Sequence, residues 1–198
     1  MKTILVILIG YIIGSFSPSY YFGKIFKKMD IRDYGSGNAG TTNALRVFGK
    51  KVGILTFIMD IVKGIIAVLI GRWILGFNGE LLAAIFVVLG HNWPIFLDFK
   101  GGKGIATSFG VLLMIHWQIG LIAFIIFISV IVLTKYVSLG SISATLFAPL
   151  ALIITNRGAP IKLHLTMIFL AALAIYRHKD NIKRLLKGEE NRIGNIKG

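Results

Sequence analysis

The feature that most restricts the fold of this chain is a stretch of 31 consecutive residues, Gly104–Thr134, without a charged side chain. A helix that crosses a bilayer needs about 20 apolar residues. Four other apolar runs have 17 to 21 residues, namely Thr3–Gly23, Val52–Gly71, Leu81–Leu97 and Tyr136–Asn156, and a shorter one, Leu163–Tyr176, has 14. Because the mean hydropathy is +0.80, the polar residues are too few to cover a soluble domain. The sequence therefore predicts a membrane protein with several crossings.

The longest run decides the number of crossings. It is too long for one span at a rise of about 1.5 Å per residue, and the polar and interfacial residues His116, Trp117 and Gln118 lie near its middle. Read as two spans, it gives seven in total. With the N-terminus outside, 17 of the 22 Lys and Arg then fall in cytoplasmic segments, as the positive-inside bias requires. We therefore predict an all-α integral membrane protein with seven transmembrane helices, a cytoplasmic C-terminus and one polytopic domain over residues 1–198.

Charge and composition exclude several kinds of function. The formal net charge of +14 suggests nucleic acid, but the basic residues alternate with apolar runs instead of covering a water-facing surface. Without cysteine there is no disulfide and no thiolate metal site. The four histidines are scattered, with no carboxylate at ligand spacing. We therefore expect the protein to bind no nucleic acid, metal or cofactor, and no obligate protein partner is evident from the sequence.

Polar and glycine residues gather in three segments, residues 24–51, 90–104 and 177–198. The predicted topology places all three on the cytoplasmic face of the membrane, where a smaller serine group at Ser138, Ser141 and Ser143 begins the sixth span. Convergence of four separate segments on one membrane surface predicts a single site at that interface.

The first segment contains nine consecutive residues, 35–43, drawn only from Gly, Ser, Asn, Ala and Thr. The spacing of Gly35, Gly37 and Gly40 matches a dinucleotide-binding motif, but that motif requires a preceding strand, and apolar runs flank this one. Successive N–H groups in a glycine loop can bind an anion, and the Arg46 guanidinium following it can bind phosphate through two hydrogen bonds. The alternative is a turn that caps a helix.

The second segment places Gly101–Gly104 directly before an apolar helical run. Unpaired N–H groups at a helix start hold anions, and Lys103 adds a full positive charge. The segment is not a Walker A motif, since Leu97 and Gly104 occupy positions that require Gly and Ser or Thr. Phosphate binding is the prediction, with a flexible positive-inside turn as the alternative. His91 lies on the same side, either as a site residue or as a packing residue.

The third segment alternates basic, amide and acidic residues on a predicted interfacial helix. Most of its Lys and Arg are expected to contact anionic lipid headgroups, whereas Asn181 and Glu190 have no such role. Asp60 and Lys63 are charged residues within a predicted span. Charges in that position are candidates for function, but a mutually neutralising structural pair is the favoured interpretation.

Together the three segments resemble the bacterial acyl-phosphate:glycerol-3-phosphate acyltransferase family (PlsY). The resemblance rests on Ser36–Arg46, Gly90–Pro94, Lys100–Thr107 and Arg177–Leu185 through Glu190, and it covers essentially the whole chain. It implies transfer of a fatty acyl group from acyl phosphate to the sn-1 hydroxyl of glycerol 3-phosphate in the bacterial cytoplasmic membrane. The products would be lysophosphatidic acid and phosphate. The alternative from another class is a transporter or flippase for a phosphorylated metabolite.

The candidate residues follow from the segments and the resemblance. Catalytic roles are expected for Ser36, Asn38, His91, His178, Asn181 and Glu190. Substrate binding is expected for Gly37, Gly40, Thr41, Asn43, Arg46, Gly101, Gly102, Lys103, Gly104, Ser141 and Ser143. The base that accepts the hydroxyl proton is left open between His91, His178 and the phosphate of the substrate.

Overall fold

The computed structural model describes residues 1–193, and its regular secondary structure is helical, as the sequence predicts. The α-helices are α1 (Lys2–Ser15), α2 (Pro18–Phe22), α3 (Thr41–Phe48), α4 (Lys50–Asn92), α5 (Ile105–Thr134), α6 (Val137–Thr155), α7 (Ile161–Arg177) and α8 (Lys179–Leu186). A π-helical turn, Gly23–Lys27, continues α2, and 3-10 turns lie at Ile31–Asp33 and Ile95–Leu97. The chain divides into two compact units, Met1–Ile115 and His116–Gly198, which are described separately.

Four helical segments are long and apolar enough to cross a membrane: Lys2–Lys27, Lys50–Leu97, Ile105–Thr134 and Val137–Thr155. A fifth is obtained if α7 and α8, bent by 58°, count as one span. The sequence predicts seven because it divides two of these helices. Each of the two contains a break in its backbone angles, α4 at Leu75 and Gly76 and α5 at His116. The seven crossings and their orientation stay predictions.

In the first unit, α1 and the start of α5 both pack closely against α4. A Cβ at Gly14 would collide with the carbonyl oxygen of Val87, and one at Gly90 would collide with that of Tyr11. Small residues allow such close backbone approach between membrane helices. On α5, a Cβ at Gly110 would collide with the carbonyl oxygen of Ile61. This packing brings the loops at the ends of α1 and α4 and before α5 into one region.

In the second unit, α6 packs against α7, and α8 contacts both. His178 separates α7 from α8, and its backbone N–H still bonds to the carbonyl oxygens of Ala174 and Ile175. Helix α8 is strongly amphipathic, as the sequence predicts for an interfacial helix. Asn181 is on the buried side of α8.

Candidate functional site

The glycine loop at residues 35–40 is held in shape by one buried amide. Asn43, 2% exposed, accepts a hydrogen bond from the Ser36 N–H at 2.9 Å. Its amide group donates to the carbonyl oxygens of Ile31 at 3.2 Å and Tyr34 at 2.9 Å. Gly35 has a φ of +63° and no room for a Cβ beside Asn43. The described contacts of Asn43 therefore fix the loop.

The loop and the helix that follows it carry several polar side chains. The amide of Asn38 donates to the Ser36 carbonyl oxygen at 3.1 Å and lies 3.3 Å from the Ser36 hydroxyl. Thr41 is the first residue of α3. Its hydroxyl is buried and has no hydrogen-bond partner among residues 1–193. Arg46 is half-buried in the last turn of α3. Ser36 is exposed, whereas Asn38, Thr41 and Arg46 are half-buried.

The second loop lies directly against the first. The N–H groups of Gly101 and Gly102 bond to the carbonyl oxygens of Asn92 and His91 at 3.3 and 3.1 Å. A Cβ on Gly102 would lie 3.1 Å from the Ala39 carbonyl oxygen and would collide with His91 Nε2. The structure thus brings together the first two predicted segments. Half-buried Lys103 follows, and then Gly104, with a φ of +79°, leads into α5.

Arg32, which the sequence analysis did not select, connects these loops to the turn at residues 95–98. Its guanidinium pairs with Asp30, with Nη2 2.8 Å from Oδ2, and its Nη1 donates to the Leu97 carbonyl oxygen at 2.8 Å. The hydrogen bond from Arg32 holds the pKa of Asp30 below its usual range. In the sequence, only the spacing of Asp30 and Arg32 could have indicated this pair.

We expect Arg32→Ala to destabilise the protein by about 1.5–3 kcal/mol, the usual size of a charge-assisted hydrogen bond. The variant loses the contact with Leu97 and leaves Asp30 without its cation. Thermal unfolding in detergent measures the effect. Arg157→Ala, which removes an exposed arginine in the second unit, is the control. Equal stability of the two variants would contradict the connecting role of Arg32.

Buried polar groups surround the end of α4. His91, 5% exposed, has its Nδ1 2.8 Å from Lys63 Nζ and 3.4 Å from Asp60 Oδ1. Asn92 and Thr107, both 0% exposed, have side-chain polar atoms without hydrogen-bond partners in the described part of the chain. Sequence reasoning did not select these two. The position of Asn92 beside His91 in a polar run was the available signal.

In the second unit, three of the predicted polar side chains meet at Glu190. This carboxylate accepts hydrogen bonds from Ser138 Oγ at 2.9 Å, Asn181 Nδ2 at 2.7 Å and Arg184 Nε at 2.7 Å. Burial acts to raise the pKa of Glu190, but the three hydrogen bonds outweigh it, so that pKa lies below its usual range. Glu190 thereby ties the segment after α8 to α6 and α8.

Two neighbours of this cluster have defined hydrogen-bonding roles. His178, 3% exposed, has its Nδ1 2.8 Å from the Ala174 carbonyl oxygen. Since a carbonyl only accepts, Nδ1 carries a proton, and Nε2 is the acceptor of the neutral ring. The Ser141 hydroxyl donates to the Val137 carbonyl oxygen at 2.9 Å. Ser143 lies two residues further, on a different side of α6.

The Glu190 cluster predicts a pH-dependent stability. Because the pKa of Glu190 is lowered on folding, its contribution is present above the usual glutamate pKa and is lost as the pH falls through the folded value. At neutral pH, Glu190→Gln should lower stability by about 1–3 kcal/mol. As the pH is lowered, the difference in stability between Glu190→Gln and the native chain should become smaller. Thermal unfolding in detergent against pH tests this, and a difference independent of pH would refute it.

Comparison with known proteins gives the same family throughout. The family model described as "Glycerol-3-phosphate acyltransferase" matches residues 4–188. The chain belongs to the glycerol-3-phosphate acyltransferase family. It is 50% identical over 195 residues to a glycerol-3-phosphate acyltransferase of Thermoanaerobacter sp. (strain X514), covering 98% of this chain and 97% of that one. The enzyme of Clostridioides difficile (strain 630) is 44% identical over 200 residues, with coverage of 98% and 97%.

Solved structures agree with this family. The chain is similar to the glycerol 3-phosphate form of PlsY (YgiH), an integral membrane glycerol 3-phosphate acyltransferase, with a TM-score of 0.92 and 38% identity. The lysophosphatidic acid form of PlsY has a TM-score of 0.89 and 37% identity. In both, the match covers 98% of this chain and 96% of the other. This chain is therefore an integral membrane acyltransferase that acts on glycerol 3-phosphate, a step of phospholipid biosynthesis.

Proposed function

We propose that the acyl donor is an acyl phosphate and that the acceptor is the sn-1 hydroxyl of glycerol 3-phosphate, giving lysophosphatidic acid and phosphate. Acyltransferases that use thioesters in glycerolipid synthesis carry a His and an Asp separated by four residues. Here six residues separate His91 from Asp98, and one separates His178 from Asp180. Because this His and Asp spacing is absent from the sequence, we propose an acyl donor that carries a good leaving group.

The contact between the first two loops is the observation that carries the proposal. Gly102 lies against both Ala39 and His91, and Lys103 adjoins it. We assign the phosphate of glycerol 3-phosphate to the Gly101–Gly104 loop, because the Lys103 ammonium can bind phosphate and the bonds of the Gly101 and Gly102 N–H groups to α4 hold the loop in place. Further phosphate contacts are assigned to Arg46, Ser141 and Ser143. Gly37, Gly40, Thr41 and Asn43 shape and line the first loop.

The reaction balances without a cofactor. The sn-1 oxygen forms a bond to the acyl carbon, the bond from that carbon to the phosphate oxygen breaks, and phosphate leaves with the electron pair. Ser36, Asn38 and Asn181 are assigned to hydrogen bonds at the reacting carbonyl or hydroxyl, since donors placed at developing charge lower the barrier. Glu190 positions Asn181 through its 2.7 Å hydrogen bond.

His178 is the better candidate for the base. Its Nδ1 proton points at the Ala174 carbonyl oxygen, so the neutral ring has its lone pair on Nε2. The Nδ1 atom of His91 instead lies 2.8 Å from an ammonium. The substrate's own phosphate is the remaining alternative for accepting the proton.

We propose that the protein works in the bacterial cytoplasmic membrane as one polytopic domain, with seven crossings, its site on the cytoplasmic face and no obligate protein partner. Both reactants carry a phosphate and one carries an acyl chain, which suits an interfacial site. The transporter alternative finds no support in the relatives, which are named acyltransferases.

Phosphate release from palmitoyl phosphate by the purified protein in detergent tests the donor. We expect release that depends on glycerol 3-phosphate and equals the lysophosphatidic acid formed. Palmitoyl-CoA and palmitoyl-acyl carrier protein serve as competing donors in parallel reactions. Product formed from a thioester but not from palmitoyl phosphate would overturn the proposal. Labelled glycerol 3-phosphate crossing reconstituted vesicles would favour the transporter.

A further inference from the structure

We infer that the buried Lys63 and Asp60 pair sets the tautomer of His91, so that His91 acts as a hydrogen-bond donor through Nε2 and Lys63 is a positioning residue for the acyl transfer. This deepens the proposed function, because it assigns a role at the loop to which we assign the phosphate.

Four acceptors surround the Lys63 ammonium in the structure. Nζ donates to the carbonyl oxygens of Gly14 at 3.1 Å and Phe16 at 2.8 Å, and it lies 2.8 Å from His91 Nδ1. An ammonium has three N–H groups and no lone pair, so it can only donate in these contacts, and one N–H group is shared between two of the four acceptors. The Asp60 carboxylate, 2.8 Å from Nζ, balances the charge.

These contacts fix the proton on the imidazole ring. An ammonium 2.8 Å from Nδ1 requires a lone pair on Nδ1. The neutral ring then carries its proton on Nε2, since the bond made by one nitrogen determines the state of the other. Nε2 lies beside Gly102, where a Cβ would collide with it. The proton therefore points toward the backbone of the Gly101–Gly104 loop.

The buried position of the pair supports a role beyond balancing charge. Lys63 and Asp60 are 5% and 1% exposed, and a charged pair inside a membrane helix is costly. If its only role were mutual neutralisation, a contact with a histidine at the loop would not be required. Two further titratable groups contact or adjoin residues near His91. The Tyr11 hydroxyl of α1 donates to the Trp93 carbonyl oxygen at 2.7 Å, and Lys103 follows Gly102 in the packed loop.

The tautomer is tested directly by nitrogen NMR of the full-length protein in detergent, with labelled histidine and with His91→Gln to assign the signal. We expect protonated Nε2 and unprotonated Nδ1 in the native chain at neutral pH. A protonated Nδ1 would overturn the inference. This readout is independent of the acyl donor, so it decides the inference even if palmitoyl phosphate proves not to be a substrate.

Kinetics test the positioning role. In Lys63→Met, His91 Nδ1 faces the Asp60 carboxylate and no ammonium. The imidazole proton therefore moves from Nε2 to Nδ1, and Nε2 can no longer donate a hydrogen bond. We expect kcat with palmitoyl phosphate to fall about tenfold, the loss of one net hydrogen bond.

Two further variants separate this role from general damage. In Asp60→Asn with Lys63→Met, the amide can donate to Nδ1, so kcat should recover most of the loss. Glu80→Gln breaks another pair on α4, where Glu80 Oε2 lies 2.8 Å from Arg72 Nη2, and should leave kcat unchanged. A deficit that is equal in the single and double variants would overturn the positioning role.

Discussion

Gly102→Ala is expected to lower kcat/KM for glycerol 3-phosphate at least about 100-fold, the cost of displacing a reacting group by about 1 Å. A methyl group on Gly102 would collide with His91 Nε2 and would lie 3.1 Å from the Ala39 carbonyl oxygen. Neither neighbour moves freely, because His91 is buried and Ala39 is 1% exposed. The loop must therefore move away from both, which displaces the adjoining Lys103.

The control for this substitution is Gly158→Ala, where a Cβ would meet no atom within 4 Å. Steady-state kinetics and thermal unfolding in detergent are measured for both variants. We expect activity to be lost for Gly102→Ala with only a small change in unfolding temperature, and neither to change for Gly158→Ala. Near-native activity of Gly102→Ala would show that the contact between the two loops is not needed for catalysis.

Lys103→Ala is expected to reduce kcat/KM for glycerol 3-phosphate by about 10- to 100-fold, the loss that follows from removing one charge-assisted hydrogen bond to phosphate. The loop is held by bonds of Gly101 and Gly102 to the α4 carbonyl oxygens, and these do not involve the lysine side chain. The loss should therefore appear in activity and substrate binding, with little effect on folding.

Lys100→Ala removes the same charge from an exposed position of the same segment, and we expect a smaller loss from it. Product formation measured over a range of glycerol 3-phosphate concentrations distinguishes the two variants. Equal losses of activity in the two variants would mean that the overall positive charge of the segment matters, and that Lys103 makes no specific contact with phosphate. A fully active Lys103→Ala would remove the phosphate assignment.

The helical, membrane-embedded fold was predictable because a bilayer imposes a length and an apolar composition on each crossing. The divisions within the two longest helical segments were also predictable. Hydropathy places them near residues 72–80 and 116–118, and the backbone angles of α4 break at Leu75 and Gly76 and those of α5 at His116. At the first break the chain folds back on itself, because Gly71 and Gly79 are in contact, whereas eight residues of unbroken helix would separate them by about 12 Å.

The candidate site was predictable to the level of its loops. Glycine and amide residues in an otherwise apolar chain identify Gly35–Asn43 and Gly101–Gly104 as unusual, and the structure brings these two segments together. Individual roles depended on geometry. Asn43 holds its own loop, and the connecting Arg32 was not selected, because its contact with Leu97 joins residues far apart in sequence.

By itself the sequence determined the class of protein, the family to which it is similar and the segments that carry polar chemistry, since these depend on composition and on local order of residues. Only the tertiary structure decided which side chains bond to one another. Lys63 and His91 lie 28 positions apart, on either side of the break in α4, and the carbonyl oxygens of Gly14 and Phe16 at the end of α1 contact the same ammonium. Hydrogen bonds act over about 3 Å, a distance that is set by helix packing and not by position along the chain.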